Sequence, residues 1–309
     1  MTTAFGDTTT SIANFSEIVP IITSVAEVLE MEYAVMGNLV VRHTIPRGKD
    51  RVRIMFQTNQ FIAEDHTDGE EITTVQQMGI DTIDLTPNML KILYRISGRA
   101  LRFPSEDLAA LCGQEQAKAQ AEALEVRLLA LLDDSGTQNP GFDSAFTLAH
   151  IAECRRRLRG VARADGGPAP TPIVGVLDVY QEEDMLNQLG AVAALSGSAN
   201  DQSRVIPHFL QAIIDVSPSL DDSYFGVILR VPFFVSGYIG QTVGSVTAPS
   251  IGGVFSTEAL HLGVAQEWDT KPYDEVEWDG LLVRSLTDYG ARLGAFPKWV
   301  IQLDATVGS

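Results

Sequence analysis

The first 41 residues of this chain contain no lysine or arginine, and the first basic residue is Arg42. A secretory signal needs positive charge ahead of its apolar run, so none is expected here. No run of about 18 apolar residues occurs, which excludes a membrane-crossing helix. The nearest approach, 224–235, is interrupted by Arg230 and Pro232. Cysteine is scarce. Cys112 and Cys154 are the only two, too few for a disulfide framework or a metal site of their own. Both fall in helix-like stretches and read as reduced thiols packed between helices. Catalytic signatures are missing as well. Gly237, Gly240 and Gly244 have neither dinucleotide nor P-loop spacing, and no Gly-x-Ser-x-Gly elbow occurs. The five histidines, His43, His66, His150, His208 and His261, are scattered, with no pair at i, i+4 to form a zinc helix. No repeat of about 20–50 residues is present.

What is present is enough for one large or two modest domains: 309 residues, of which 45% are apolar. Forty acidic residues against 22 basic give a net charge of −18. Such a chain repels nucleic acid unless it concentrates its positive charge. That counts against a free-standing nucleic-acid binder and suits the wall of a container.

After a Thr/Ser-rich start, Ile21, Ile22, Val25, Val28 and Leu29 fall on one face of an acidic helix. Residues 42–80 change character. Arg42, Arg47, Lys49, Arg51 and Arg53 crowd one stretch, with Asp50 the single acid among them. Residues 46–50 read as a turn and 52–56 as a strand. Glu64, Asp65, Asp68, Glu70 and Glu71 then follow with no lysine or arginine between them. One arm of a hairpin is thus expected to be basic and the other acidic. The two charges can pair across the ribbon, or the arm can extend and dock on another subunit.

Ser105 is an expected N-cap, with two acids in the first turn, of an Ala/Leu helix over 105–132. Leu108, Leu111, Leu124, Leu128, Leu131 and Leu132 sit at helical spacing, and Asp133-Asp134-Ser135-Gly136 stops the helix. At about 1.5 Å per residue it is roughly 40 Å long, and without strict heptads it reads as a spine rather than a coiled coil. A second helix is expected over 144–163, closing on Arg155, Arg156, Arg157, Arg159 and Arg163. That arginine face is either solvated or a dock for an acidic neighbour. A Gly/Pro loop at 166–172, a buried strand over 173–179 and a short helix over 181–189 follow. An apolar β-rich run over 225–234 comes next, then a Gly/Ser/Thr loop over 236–253.

The last stretch, 254–304, reads VFSTEALHLGVAQEWDTKPYDEVEWDGLLVRSLTDYGARLGAFPKWVIQLD. It is expected to form a strand, an acidic turn, a long strand, a break at Tyr289-Gly290 and a final apolar strand. Asp269, Asp274, Glu275, Glu277 and Asp279 form an acidic cluster flanked by Trp268 and Trp278. The cluster lacks EF-hand spacing. The tryptophans suit either an interface or a core.

This segment resembles the closing strands of tailed-phage major capsid proteins of the Hong Kong 97 fold, and the order of elements extends the resemblance over essentially the whole chain. The stretch 222–234 resembles the family's glycine-centred strand pair, and Tyr289-Gly290 its Tyr-Gly turn. The resemblance implies an α+β capsid fold. In it, 1–41 is an N-terminal arm and 42–80 an extended E-loop. Residues 81–143 and 254–309 form a peripheral domain with a spine helix, and 144–253 an axial domain. It implies a structural protein without catalytic, cofactor or metal sites, which self-assembles as hexamers and pentamers into an icosahedral head shell. The shell encloses double-stranded DNA without sequence-specific binding. It forms in the bacterial host cytoplasm, makes no membrane contact, and has scaffolding, portal and decoration proteins as further candidate partners.

The interface residues expected on that basis are Arg42, Arg47, Lys49, Arg51 and Arg53 against Asp269, Asp274, Glu275, Glu277 and Asp279 of a neighbour, with Trp268 and Trp278 beside them. The acidic arm is expected to lie on Arg155, Arg156 and Arg157. Only about forty residues precede the E-loop, so scaffolding is expected from a separate protein. Lys49 is a candidate isopeptide donor, but no asparagine occurs after Asn200. Covalent cross-linking is therefore not expected, which leaves reinforcement to a decoration protein. Two other functions fit less well: an encapsulin-type compartment shell of the same fold, and a metal-assisted hydrolase using the carboxylates over 269–279.

Overall fold

The computed structural model describes residues 22, 24, 26, 34–58, 61–63, 65, 75–97, 106–135, 146–196, 223–237, 250–275 and 280–305. A four-residue helix α1 (Met36–Leu39) leads into strands β1 (Val41–Thr44), β2 (Val52–Gln57), β3 (Ile80–Leu85) and β4 (Asn88–Ser97). Helices α2 (Glu106–Asp133) and α3 (Leu148–Arg159) follow, then β5 (Ile173–Leu177) and α4 (Val179–Ser196). The rest is β6 (Tyr224–Ile228), β7 (Val231–Val235), β8 (Ser250–Ser256), β9 (Leu260–Glu275), β10 (Gly280–Leu293) and β11 (Val300–Ala305). They form a four-stranded sheet β1-β9-β10-β4, a five-stranded sheet β11-β8-β5-β7-β6 and a separate ribbon β2-β3.

The chain divides into two compact units. The first joins Pro87–Ala123 and Val264–Tyr289 with the N-terminal segment. In it β4 runs antiparallel to β10, from Asn88 opposite Tyr289 to Ser97 opposite Gly280. Ile96, Leu281 and Val283 are buried there, with Tyr94 and Cys112 packed against them. The first half of α2 buries glutamines instead of leucines. Gln116 accepts from the Tyr94 hydroxyl at 3.1 Å and donates to Thr270 Oγ1 at 3.0 Å and Ser285 Oγ at 3.3 Å.

The second unit joins Val35–Thr86, Leu124–Gly263 and Gly290–Ser309. Its core is Phe146, Ile151, Cys154, Leu158, Ile173, Leu177, Met185, Ile228, Val231, Phe233, Val254, Ile301 and Leu303. Burying Cys154 pushes its thiol up to about 12, an inert packing group. β5 is central, antiparallel to β8 and parallel to β7. At Gly175 a Cβ atom would lie 2.2 Å from the Phe233 ring, so the ring occupies the space that a side chain on β5 would need.

The spine helix has the expected place and length: 28 residues, about 42 Å. Its buried stripe runs Gly113, Gln116, Ala117, Gln120, Ala121, Leu124, Glu125, Leu128, Leu129, Leu132. Leu111 is exposed, and the expected cap Ser105 lies outside the described residues.

Other boundaries differ from expectation. Within the described residues α3 starts at Leu148 and ends at Gly160, where the amide turns back onto the carbonyls of Arg156 and Arg157. Val179 belongs to α4, because the Asp178 carbonyl accepts the Glu182 amide at 2.9 Å, the first bond of the helix. α4 continues through Gly190 to Ser196. The apolar run over 225–234 folds back on itself at Leu229-Arg230, both with positive φ. Ser250–Gly253 belongs to a strand, not to a loop: a Cβ at Gly252 would lie 2.6 Å from the Val176 carbonyl. Tyr289-Gly290 is no break, since β10 passes straight through it.

Candidate functional site: the charged ribbon and its root

β2 and β3 pair antiparallel, with Arg53 opposite Asp84, Ile54 opposite Ile83 and Val52 opposite Leu85. The turn at 46–50 closes through the Lys49 amide on the Pro46 carbonyl at 3.1 Å, with Gly48 at φ 85°. The strand opposite the basic arm is therefore residues 80–85 and not the acidic run 64–71, which lies in the connection. Within that connection only residue 65 of the run is described. Farther along, the Gln76 side chain bonds both backbone groups of Ile62, at 2.7 and 2.5 Å.

Asp84 is the internal partner of the basic arm. Its carboxylate accepts from Arg53 Nε at 2.9 Å and Arg51 Nη1 at 3.0 Å. The hydrogen bond from Arg53, with support from Arg51, holds the Asp84 carboxyl below its ordinary range. Arg292 donates to the Asp84 carbonyl at 2.6 Å. Arg47 and Lys49 are exposed.

The two faces of the ribbon are unlike. Val52, Ile54, Ile83 and Leu85 share one face, and Phe56 meets Phe296 edge-on at 5.8 Å. The opposite face carries Arg53, Met55, Ile80 and Asp84 outward. Met55 is 74% exposed and Ile80 59%, and Phe61, Ile62, Val75 and Met78 are exposed along the connection. A two-stranded ribbon is marginal in water by itself, and this one holds much of the chain's exposed large apolar surface.

The root of the ribbon is tied down from two sides. Glu125 on α2 is fully buried. Its Oε1 accepts the Met36 amide at 2.5 Å, its Oε2 accepts the Ser236 hydroxyl at 3.2 Å, and the Gly37 amide also points at it. Burial outweighs these bonds and raises Glu125 to about 7. Arg42 donates to the Gly37 carbonyl at 2.9 Å and to Asn38 Oδ1 at 3.4 Å. On β1, His43 Nε2 lies 3.1 Å from His261 Nδ1 of β9. Desolvation, with His43 beside it, lowers His261 to about 4. Neither Glu125 nor the histidine pair was singled out by spacing. Glu125 was detectable only as an acid on the buried stripe of α2. His43 and His261 are 218 residues apart.

On α3, Arg156 and Arg157 both bond Glu153, at 2.5–3.1 Å, which pulls that carboxyl down to about 2. Arg155 is half-buried on the same helix. Asp269 pairs with Lys271 at 2.6 Å, and Trp268 is half-buried on β9. Glu277, Asp279 and Trp278 lie outside the described residues, as do the side chains of Asp274 and Glu275. Among the described residues no group of three or more His, Cys, Asp or Glu could hold a metal ion, and no helix is long and apolar enough to cross a membrane.

No protein-family model matches the chain, and no curated protein matches it in sequence. Solved structures do match over nearly its whole length. The capsid of Ralstonia phage GP4 superposes with a TM-score of 0.62 at 12% identity, covering 88% of each chain. A Mycobacterium phage Che8 structure gives 0.60 at 16% identity, covering 87% of this chain and 90% of the other. A virus-like particle from Pyrococcus furiosus gives 0.56 at 10% identity, covering 91% and 97%. The architecture is the Hong Kong 97-type capsid fold, as the sequence resemblance implied.

Proposed function

We propose that this chain is the major capsid protein of a tailed double-stranded DNA phage, a structural protein and not an enzyme. It assembles as hexamers and pentamers into an icosahedral head, in the host cytoplasm, and resides in the virion. Fold alone does not assign function. The observation that carries the proposal is the ribbon: an arm with its large apolar side chains outward, on a fold shared with phage capsids.

The outward face, with Met55 and Ile80, docks on a neighbouring copy and there buries what a single chain leaves in water. α4 offers a second apolar face, Val179, Tyr180 and Leu186. Because Arg51 and Arg53 are already engaged by Asp84, the contact to a neighbour is apolar first. Arg47 and Lys49 supply the charge toward the acidic stretch 269–279 of that neighbour. Trp268 and Trp278 flank the same surface, and the acidic arm 1–41 lies along Arg155, Arg156 and Arg157. Separate scaffolding, portal and decoration proteins complete the head.

Negative-stain microscopy of the purified protein, with light-scattering mass, tests this. Closed shells or flat hexamers and pentamers are expected. A monomer that stays monomeric when co-expressed with the genes that flank it in its genome overturns the proposal. The likeness to the Pyrococcus furiosus particle supports a second reading, a compartment shell with protein cargo. Extracted particles that contain protein and no DNA would favour it.

A further inference from the structure

The root of the ribbon holds two buried or half-buried ionisable contacts within nine residues of chain, one at Met36-Gly37 and one at His43. Their chemistry is opposite. Glu125 faces two amides and one hydroxyl. Among the described residues no charged side chain shifts it, and the nearby Arg42 is turned to the Gly37 carbonyl and Asn38. Burial away from any charged partner favours the protonated carboxyl even though the three donors oppose it, and once Oε2 is protonated the Ser236 hydroxyl turns from donor to acceptor. His43 and His261 meet nitrogen to nitrogen at 3.1 Å, a distance that requires one ring to supply a bare lone pair. Two imidazoliums at that spacing repel. The far nitrogen of His261 has little room, since a Cβ at Gly294 would lie 3.1 Å from it. His43 is the one titratable group that shifts His261.

We propose that residues 36–44 form a proton-compensated root: acid secures the Glu125 contact while it loosens the His43–His261 contact. The closure of the root is then held steady across mildly acidic pH. The signs follow from burial. Glu125 is raised from 4.5 to about 7, so its contribution to closing is full below about 4.5 and lost as pH rises through 7. His261 is lowered from 6.5 to about 4, so its contribution is full above 6.5 and lost as pH falls through 4. Between about pH 4.5 and 6.5 the two slopes oppose one another.

The test is hydrogen exchange of peptides covering residues 36–44 in the purified full chain, corrected for intrinsic rates, from pH 4.5 to 6.5. In wild type the opening equilibrium should change less than about threefold. In Glu125→Gln, which keeps an acceptor for Met36, opening should rise on the order of tenfold as pH falls. In His261→Asn it should fall by a similar factor. Ser236→Ala, a milder change that removes a donor from Glu125, should steepen the loss toward neutral pH and serves if Glu125→Gln does not fold. Variant slopes of opposite sign relative to wild type support the proposal. Slopes parallel to wild type, or both of one sign, overturn it.

Discussion

Arg53 and Asp84 stand directly opposite each other in the ribbon, with Nε 2.9 Å from Oδ1. Arg51 shares the same carboxylate. Reversing both arginines would set three acids together and disrupt the ribbon before any neighbour is met. Asp84→Asn is the cleaner probe. It should leave the thermal midpoint nearly unchanged, because exposed pairs contribute about 0–1 kcal/mol. It should also make assembly more salt-dependent, by freeing two guanidiniums. Light scattering at low and high salt reads this, and an unchanged salt response means those charges face no neighbour.

Met55→Ser with Ile80→Ser removes apolar groups that the isolated chain leaves in water. The monomer should lose no more than about 0.5 kcal/mol, since surface changes are nearly neutral. Assembly should fall sharply. Sedimentation of the double variant beside its denaturation curve separates the two effects, and normal shells from this variant would remove the ribbon from the interface.

The turn of the β6–β7 hairpin holds Leu229 at φ 51° and Arg230 at φ 65°. Each left-handed residue with a full side chain costs about 1–2 kcal/mol. Asn-Gly is the pair suited to such a turn. Leu229 also packs against the core, so the exposed Arg230 is the position to change: Arg230→Gly should raise the urea midpoint by the equivalent of about 1 kcal/mol with the slope unchanged.

Gln116→Ala should be disproportionately damaging for a glutamine. It strands the Tyr94 hydroxyl and leaves Ser285 and Thr270 short of a partner in a buried site. Unsatisfied buried groups cost about 1–3 kcal/mol. Gln116→Glu should be nearly as costly above pH 5 and milder below it, which a pair of melts at pH 4.5 and 7 would reveal.

The sequence made the spine helix legible to within a residue at its C-terminus, because Asp133-Asp134 ends an unbroken Ala/Leu pattern. The turn 46–50 and strand β2 were equally plain. Where local chemistry was ambiguous, reading faltered. Val179 continues the apolar run of β5, and the handover to α4 is marked by Asp178, whose carbonyl accepts the Glu182 amide and whose amide donates to Gln181. The helix expected over 181–189 runs on through Gly190 to Ser196. Gly252, Gly253 and Gly290 looked like loop or turn residues and are strand glycines, two of them admitting a close neighbour. The candidate site was half visible. The basic arm is composition and can be counted. Its internal partner Asp84, the Glu125 carboxylate on α2 and the histidine pair depend on register and long-range contact, which no periodicity encodes.

The order β11-β8-β5-β7-β6 has a bearing on synthesis. β5 leaves the ribosome more than a hundred residues before β11, yet Ile301 and Leu303 of β11 fill the same core as Ile173 and Leu177. That core cannot close on a growing chain until about residue 305 has emerged. A prematurely terminated polypeptide would lack the edge strand and leave β8 open. Completion of the last strand is thus what separates a finished chain from one whose core is unfilled and whose sheet edge is open.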